Sequence, residues 1–207
     1  MSKKQIFYIL FFSLLVIGFF VVLSFAIPGF TKPKIKPIGT VQPFRFTTQD
    51  GKPFTEKDMQ GKVVAVEYFF TTCKGICPRL NNNMRKVYEA FKGEKDFLIL
   101  SHTCDPETDS AGRLKRYADS LGVNTEQWVF LTGRKDSLYD MARFSYKIDD
   151  PANNLSSVED DFLHTQFTAL VNKQAEVIKI YDGLKPSELA AMQSQIRKLL
   201  QQPYAAP

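Results

Sequence analysis

The chain has 207 residues and a net charge of +5, so a single folded domain of ordinary size is expected beside any targeting segment. Its basic residues are scattered along the sequence and form no stripe with aromatic residues, which argues against nucleic-acid binding. No internal repeat or low-complexity run indicates a solenoid or fibrous protein.

The first element in chain order is an uncharged stretch of 22 residues from Ile6 to Ile27. Its length is sufficient for a helix to span a bilayer and exceeds the usual core of a signal peptide. A cleavage site at residues 24–26 is the alternative. Lysines flank both ends in similar number, so charge does not set the orientation. We expect a single-pass transmembrane anchor at residues 1–27, with the domain on the periplasmic or extracytoplasmic side of a bacterial cell membrane.

Residues 28–42 are rich in proline and lysine, and this composition predicts a stiff linker. The folded domain is predicted to occupy residues 43–207. Its first element is an alternating segment at residues 44–47, which reads as an edge strand or a hairpin arm with a turn at Asp50-Gly51.

Apolar runs and turn residues define the elements of the rest of the chain. Strands are predicted at residues 63–70, 97–101, 128–131, 167–171 and 177–180, and helices at 80–91, 111–121, 138–144 and 187–200, with Ser137 as the N-cap of the third helix. Residues 147–161 read as a polar loop. The alternation of strands and helices, which ends in a hairpin and a helix, predicts an α/β sheet with helices on both faces.

Two cysteines stand between the first buried strand and the helix that follows it. Cys73 and Cys77 are four positions apart, and Pro78 suits the first turn of the helix. The positive field of a helix N-terminus stabilises a thiolate, which is the form that attacks disulfides and binds metals. The pair is therefore a redox dithiol or part of a metal site. A structural disulfide or two buried thiols is the alternative without such a function.

The sequence has only two histidines, His102 at the end of the second buried strand and His164 before the strand at 167–171. A lone histidine is usually a packing or surface residue. Two thiolates and one imidazole, however, suit copper, whereas zinc would take a fourth ligand. We favour His164 as the third ligand because it lies in a loop that precedes a predicted central strand.

Four segments in this order resemble the Sco/SenC family. Cys73–Pro78 looks like its C-x3-C-P motif, Asp105–Asp109 like its D-P-E-x-D segment, and Trp128–Gly133 like its W-x-F-L-T-G segment. His164 falls where the family places its metal-binding histidine. The resemblance covers roughly Pro37 to Leu200, which is nearly the whole chain after the apolar segment.

The resemblance implies a thioredoxin-like fold with a central mixed sheet and flanking helices, preceded by one N-terminal transmembrane helix. It also implies copper binding by Cys73, Cys77 and His164, and a role in maturing the copper centre of cytochrome c oxidase. The implied partner is the copper subunit of that oxidase, or another copper or thiol client. Two positions depart from the family: Leu163 precedes His164 where an aspartate is usual, and Cys104 stands where a hydrophobic residue is usual.

Two functions compete on these residues. The first is a metallochaperone, a binding and transfer protein and not an enzyme. The second is a thiol–disulfide oxidoreductase in which Cys73 and Cys77 are the catalytic pair. Redox thioredoxins place a cis-proline before the strand that faces the dithiol, and residues 164–167 contain no proline, which favours the metal. Peroxidase chemistry is disfavoured because no Pro-x3-Thr-x2-Cys pattern precedes Cys73.

The third cysteine, Cys104, has two interpretations. As a small apolar residue at a strand end, it would be buried in the core. As a functional thiol, it would act as a resolving or auxiliary group for the dithiol. We also expect Cys73 and Cys77 to close into a disulfide on oxidation, which would make copper loading depend on redox state.

Overall fold

The computed structural model describes residues 2–26, 36–149 and 165–204, and the chain divides into two compact units, residues 1–36 and 37–207. The described residues of the first unit form the helix α1 (Lys3–Ala26). Within the described residues, this is the one helix long and apolar enough to cross a membrane by length and composition.

The second unit contains eight strands and four α-helices, counted over its described residues. The strands are β1 (Gly39–Thr40), β2 (Arg45–Thr48), β3 (Pro53–Thr55), β4 (Val63–Phe69), β5 (Phe97–Thr103), β6 (Trp128–Thr132), β7 (Phe167–Val171) and β8 (Glu176–Asp182). The helices are α2 (Cys77–Ala90), α3 (Ala111–Leu121), α4 (Lys135–Asp140) and α5 (Pro186–Leu200), with a 3₁₀ helix at Glu56–Met59 and a π-helical turn at Met141–Ser145.

The strands form one mixed sheet in the order β1-β8-β7-β4-β5-β6-β2-β3. Its centre is parallel, because β4 pairs with β5 and β5 pairs with β6 in the same direction. Strand β7 runs antiparallel beside β4, with Val66 opposite Ala169. All seven residues of β4 are buried, as expected for a strand covered on both faces.

Helices cover both faces of this sheet, as the alternation of elements predicts. Residues of α2, α3 and α5 pack on one face against alternate β4 residues such as Ala65 and Phe69. Residues of α4 and the π-helical turn pack on the other face against Val66 and Tyr68. Helix α3 ends at Gly122, whose positive φ of 65° suits a residue without a side chain.

Two features differ from the predicted elements. Helix α4 begins near Arg134, whose carbonyl accepts the Leu138 N–H at 3.0 Å, so Ser137 lies inside the helix and the prediction that it caps the helix is wrong. Strand β1 pairs with the end of the sheet at β8, so the compact unit already includes residues 37–42 of the predicted linker. The segment at residues 44–47 is confirmed as a hairpin arm, and it is not an edge strand because it has neighbours on both sides. Most of the predicted loop at 147–161 lies outside the described residues.

Candidate metal and dithiol site

The two cysteines lie where β4 ends and α2 begins. Strand β4 ends at Phe69, and a turn closes when the Cys73 N–H donates to the Phe70 carbonyl at 3.2 Å. Cys77 is the first residue of α2, with Pro78 in the first turn, where its missing N–H is not needed. The sequence places both cysteines at this junction, and the structure agrees.

The two sulfurs have different environments. Cys73 is half-buried, whereas Cys77 is 5% exposed and packs in the core under α2. Partial burial alone would raise the pKa of Cys73, but hydrogen bonds from the Cys77 thiol and from the N–H groups of the loop and helix start hold it below its usual value. Burial, followed by the hydrogen bond to Cys73, raises the pKa of Cys77 to about 12. Cys73 is therefore the first of the two thiols to lose its proton, while Cys77 keeps its own.

A buried carboxylate holds the start of the dithiol loop. Asp109 is fully buried, and its Oδ2 accepts the Thr71 N–H at 3.0 Å and the Thr103 hydroxyl at 2.7 Å. The Thr71 hydroxyl also donates to Asp109 Oδ1. Arg113 donates from Nε to the Thr71 hydroxyl oxygen at 2.6 Å and lies 3.6 Å from Asp109. Sequence reasoning singled out the segment that ends in Asp109 but not this contact.

A second buried acid lies on the face of the sheet that α2 covers. Glu67 of β4 accepts the Ser101 hydroxyl proton at 2.6 Å, and the Trp128 indole N–H donates to the same Ser101 oxygen at 2.8 Å. Burial raises the pKa of Glu67 to about 7, and the hydrogen bond from Ser101 only partly offsets this. Glu67 in turn contributes to the raised pKa of Cys77, which places this acid near the buried sulfur. Because Glu67 lies in an apolar run, its sequence position does not predict a buried acid near Cys77.

The other cysteine and the described histidine are buried in the core of the domain. Cys104 is 2% exposed and lies in the core cluster on the face of the sheet opposite Cys77, and burial raises its pKa well above the usual value. His102 is fully buried among aromatic rings on that same face. Both residues therefore occupy packing positions, as expected for a small apolar cysteine and a lone core histidine.

His164, the third predicted ligand, lies outside the described residues. Its neighbour Thr165 is described and buried, and donates from its hydroxyl to the Ile148 carbonyl at 3.0 Å. Among the described residues, no group of three or more His, Cys, Asp or Glu side chains is arranged to hold a metal ion. The complete set of Cys73, Cys77 and His164 thus stays a prediction.

Comparison with known proteins finds a matching family model and related sequences. The SCO1/SenC family model matches residues 33–201. The SCO1 protein homolog of Bacillus subtilis is 32% identical over 146 residues, which are 70% of this chain and 75% of that protein.

Two solved structures show the same fold. The first is that of BsSco, a member of the Sco family of cytochrome c oxidase assembly proteins in which a disulfide switch was identified. It is 29% identical with a TM-score of 0.68, and the match covers 82% of this chain and 99% of that one. Arabidopsis thaliana ScoI, solved with copper bound, is 23% identical with a TM-score of 0.62, covering 80% of this chain and 100% of that one. The predicted thioredoxin-like fold with a mixed sheet is thereby confirmed.

Proposed function

Because the chain belongs to the SCO1/SenC family, we propose that it is a membrane-anchored copper chaperone that binds copper through Cys73, Cys77 and His164. This proposal rests on one observation: two cysteine sulfurs, one accessible and one buried, lie next to the start of α2. Cu(I) prefers soft thiolate ligands, and imidazole is a suitable third donor. The donor set therefore fits the metal.

The position of Thr165 supports the choice of His164. Strand β7 is antiparallel to β4, with Val66 opposite Ala169, so the chain enters β7 at the end of the sheet where β4 leads into the dithiol loop. Thr165 immediately precedes that entry. The buried His102, on the face opposite Cys77, is a poorer donor for the same ion.

Copper is the cargo in this proposal. The half-buried Cys73 sulfur is the ligand that a partner's own ligands can reach, so the ion can leave by stepwise ligand exchange while Cys77 still holds it. Arabidopsis ScoI holds copper, and BsSco belongs to a family of cytochrome c oxidase assembly proteins. We therefore propose the copper subunit of cytochrome c oxidase as the client.

The anchor is the helix α1. Its length and apolar composition support a single membrane span, with residues 1–27 as the anchor, 28–36 as the linker and 37–207 as the copper-binding domain. An oxidising, periplasmic location suits a domain whose two neighbouring thiols close into a disulfide. Carbonate washing of membranes should leave the protein bound, and protease added to spheroplasts should digest the domain; a released mature form would contradict the anchor.

A second candidate function is thiol–disulfide exchange with a client protein. The asymmetry of the two sulfurs favours it, because the Cys73 thiolate can attack a client disulfide and form a mixed disulfide. Cys77 then gives up its proton and attacks Cys73, which releases the second client cysteine as a thiol and leaves the Cys73–Cys77 disulfide. Oxidation in this way would also remove both copper ligands, in keeping with the disulfide switch of BsSco.

Copper titration of the full chain in detergent, under reducing conditions with zinc offered as a competitor, tests the proposal. We expect one Cu(I) per chain, loss of tight binding in Cys73→Ser and Cys77→Ser, and at least about tenfold weaker binding in His164→Ala. Cys104→Ala and His102→Phe are the matched controls, because they change the other cysteine and the other histidine. Wild-type stoichiometry and spectrum in His164→Ala would refute the ligand set.

A client-derived disulfide peptide separates the two candidate functions. If thiol exchange is the working activity, the copper-free reduced protein should reduce the peptide, and Cys73→Ser should not. If copper transfer is the working activity, the loaded protein should lose its ion to the reduced peptide while its own cysteines stay reduced.

A further inference from the structure

The turn that presents Cys73 is fixed by a carboxylate 38 residues further along the chain. Strand β4 has already ended at Phe69, so the Thr71 N–H has no place in the sheet ladder. Asp109 accepts that N–H and also the Thr71 hydroxyl proton. Thr71 lies inside the turn from Phe70 to Cys73, so a fixed Thr71 restricts the backbone that carries the accessible sulfur.

From this geometry we propose that Asp109 is a positioning residue for the dithiol, and that it holds Cys73 beside Cys77 through Thr71. The proposal rests on the function proposed above only in taking these two sulfurs as the working groups. It concerns the geometry of the site and assigns Asp109 no contact with copper or with a client.

The contacts of Asp109 distinguish this role from that of a helix cap. Asp109 precedes α3, but its two oxygens bond to Thr71 and Thr103. Ser110 is the N-cap residue of α3, and its side chain makes no capping hydrogen bond. The carboxylate therefore joins the end of β4 to the end of β5, the two parallel strands at the centre of the sheet.

Arg113 completes the arrangement from the solvent side. Its side chain is 40% exposed, and its Nε donates to the Thr71 hydroxyl oxygen while lying 3.6 Å from Asp109. The Thr71 hydroxyl thus donates to the acid and accepts from the base, which fixes its orientation. A buried carboxylate with several donors and a neighbouring cation is well compensated, so the arrangement is rigid.

Rigidity matters here because Cys73 and Cys77 lie at the two ends of one short loop that leads into α2, and a disulfide requires that their sulfurs meet. A loop that holds them in contact raises the effective concentration of one thiol toward the other. A loosened loop would let Cys73 sample positions away from Cys77, and small displacements of reacting atoms have large effects on such equilibria.

The test is the thiol–disulfide equilibrium of the full chain in detergent with glutathione. Two thiols and one oxidised glutathione give the Cys73–Cys77 disulfide and two reduced glutathiones, and alkylation followed by mass mapping measures the ratio. We expect Thr71→Val and Asp109→Asn to lower the equilibrium constant about tenfold. Thr71→Ser, which keeps the hydroxyl, should restore it.

Thr48→Val is the matched control, since it removes the hydroxyl of a buried threonine far from the dithiol loop, which accepts the Lys52 N–H at 3.1 Å in the β2–β3 hairpin. It should leave the equilibrium unchanged. A wild-type equilibrium in folded Thr71→Val, or an equal shift in Thr48→Val, would overturn the proposal; if Asp109→Asn fails to fold, Thr71→Val still decides. Copper uptake measured in parallel keeps the tests apart, because a wild-type chain that binds no Cu(I) refutes the proposed function and leaves the glutathione result valid.

Discussion

Acidification should destabilise the domain through His102, a histidine buried in the sheet. Its ring stacks on Tyr68 with a centroid distance of 4.9 Å and lies 5.4 Å from both Phe46 and Tyr146. Neither ring nitrogen has a hydrogen-bond partner among the described residues. Burial therefore lowers the pKa of His102 from 6.5 to about 3, because the charged form would lose its hydration.

The sign and size of the effect follow from proton linkage. Between pH 6.5 and about 3, the unfolded chain binds a proton at this position and the folded chain does not, so the free energy of unfolding falls as the pH falls. A pH of 4.5 lies about two units below the unfolded pKa of 6.5. At ~1.4 kcal/mol per unit, protonation of the unfolded chain therefore lowers the free energy of unfolding by about 3 kcal/mol. Above pH 6.5 this contribution to the pH dependence is absent.

His102→Phe provides the comparison, because phenylalanine keeps an aromatic ring in the same cluster without a titrating group. Urea unfolding of residues 37–207, followed by the fluorescence of Trp128, the only tryptophan, would measure both proteins from pH 8 to pH 4. The variant should be at least as stable at pH 8, and its advantage should grow by about 3 kcal/mol at pH 4.5. All other titrating groups are the same in both proteins, so an advantage that does not change with pH would refute the reasoning.

Two further predictions concern stability. Glu67→Gln should remove a pH dependence of stability that is opposite to that of His102. The pKa of Glu67 is about 7 in the folded chain and 4.5 in the unfolded chain. The stability that protonation of Glu67 contributes is therefore complete below pH 4.5 and is lost as the pH rises through 7. The variant should therefore gain about 3 kcal/mol on the wild type between pH 4.5 and 8 in urea unfolding, and a constant difference would contradict the buried acid. Gly183→Ala should cost about 1–3 kcal/mol, because its Cβ would lie 2.3 Å from a Leu80 methyl and 3.0 Å from the Gln166 carbonyl. Gly112→Ala in α3, where space is open, should be neutral or stabilising by up to about 1 kcal/mol, and equal losses in both variants would refute the packing argument.

Most of the sheet and its helices could be predicted from local patterns. The run of β-branched and aromatic residues in β4 and the glycine after α3 are signals carried by a few neighbouring residues. Strand β1 could not be found in this way, because two residues have no periodicity and its pairing with β8 joins distant parts of the chain. The start of α4 was misplaced because Ser137 is a good capping residue, whereas the first turn closes on the carbonyl of Arg134.

The candidate site was predictable only where it is local. Cys73 and Cys77 are neighbours at a strand–helix junction, so the sequence places both at the start of the helix. The contact between Asp109 and Thr71 depends on two loops that meet only when β4 and β5 pair in parallel. His164 stays a prediction that depends on its place before β7.

The asymmetry of the two sulfurs links the proposed functions to the fold. Cys77 belongs to the core, and burial keeps its proton on, so the fold fixes one sulfur in position. Cys73 lies in a turn outside the sheet, where N–H groups stabilise its thiolate and Asp109 limits its movement through Thr71. One fixed sulfur and one accessible sulfur are what a copper donor needs to release its ion stepwise, and what a dithiol needs to attack a client and then resolve the mixed disulfide. Copper transfer and thiol exchange therefore require the same geometry and the same reduced pair, so the presence of bound copper decides which of them the protein can perform.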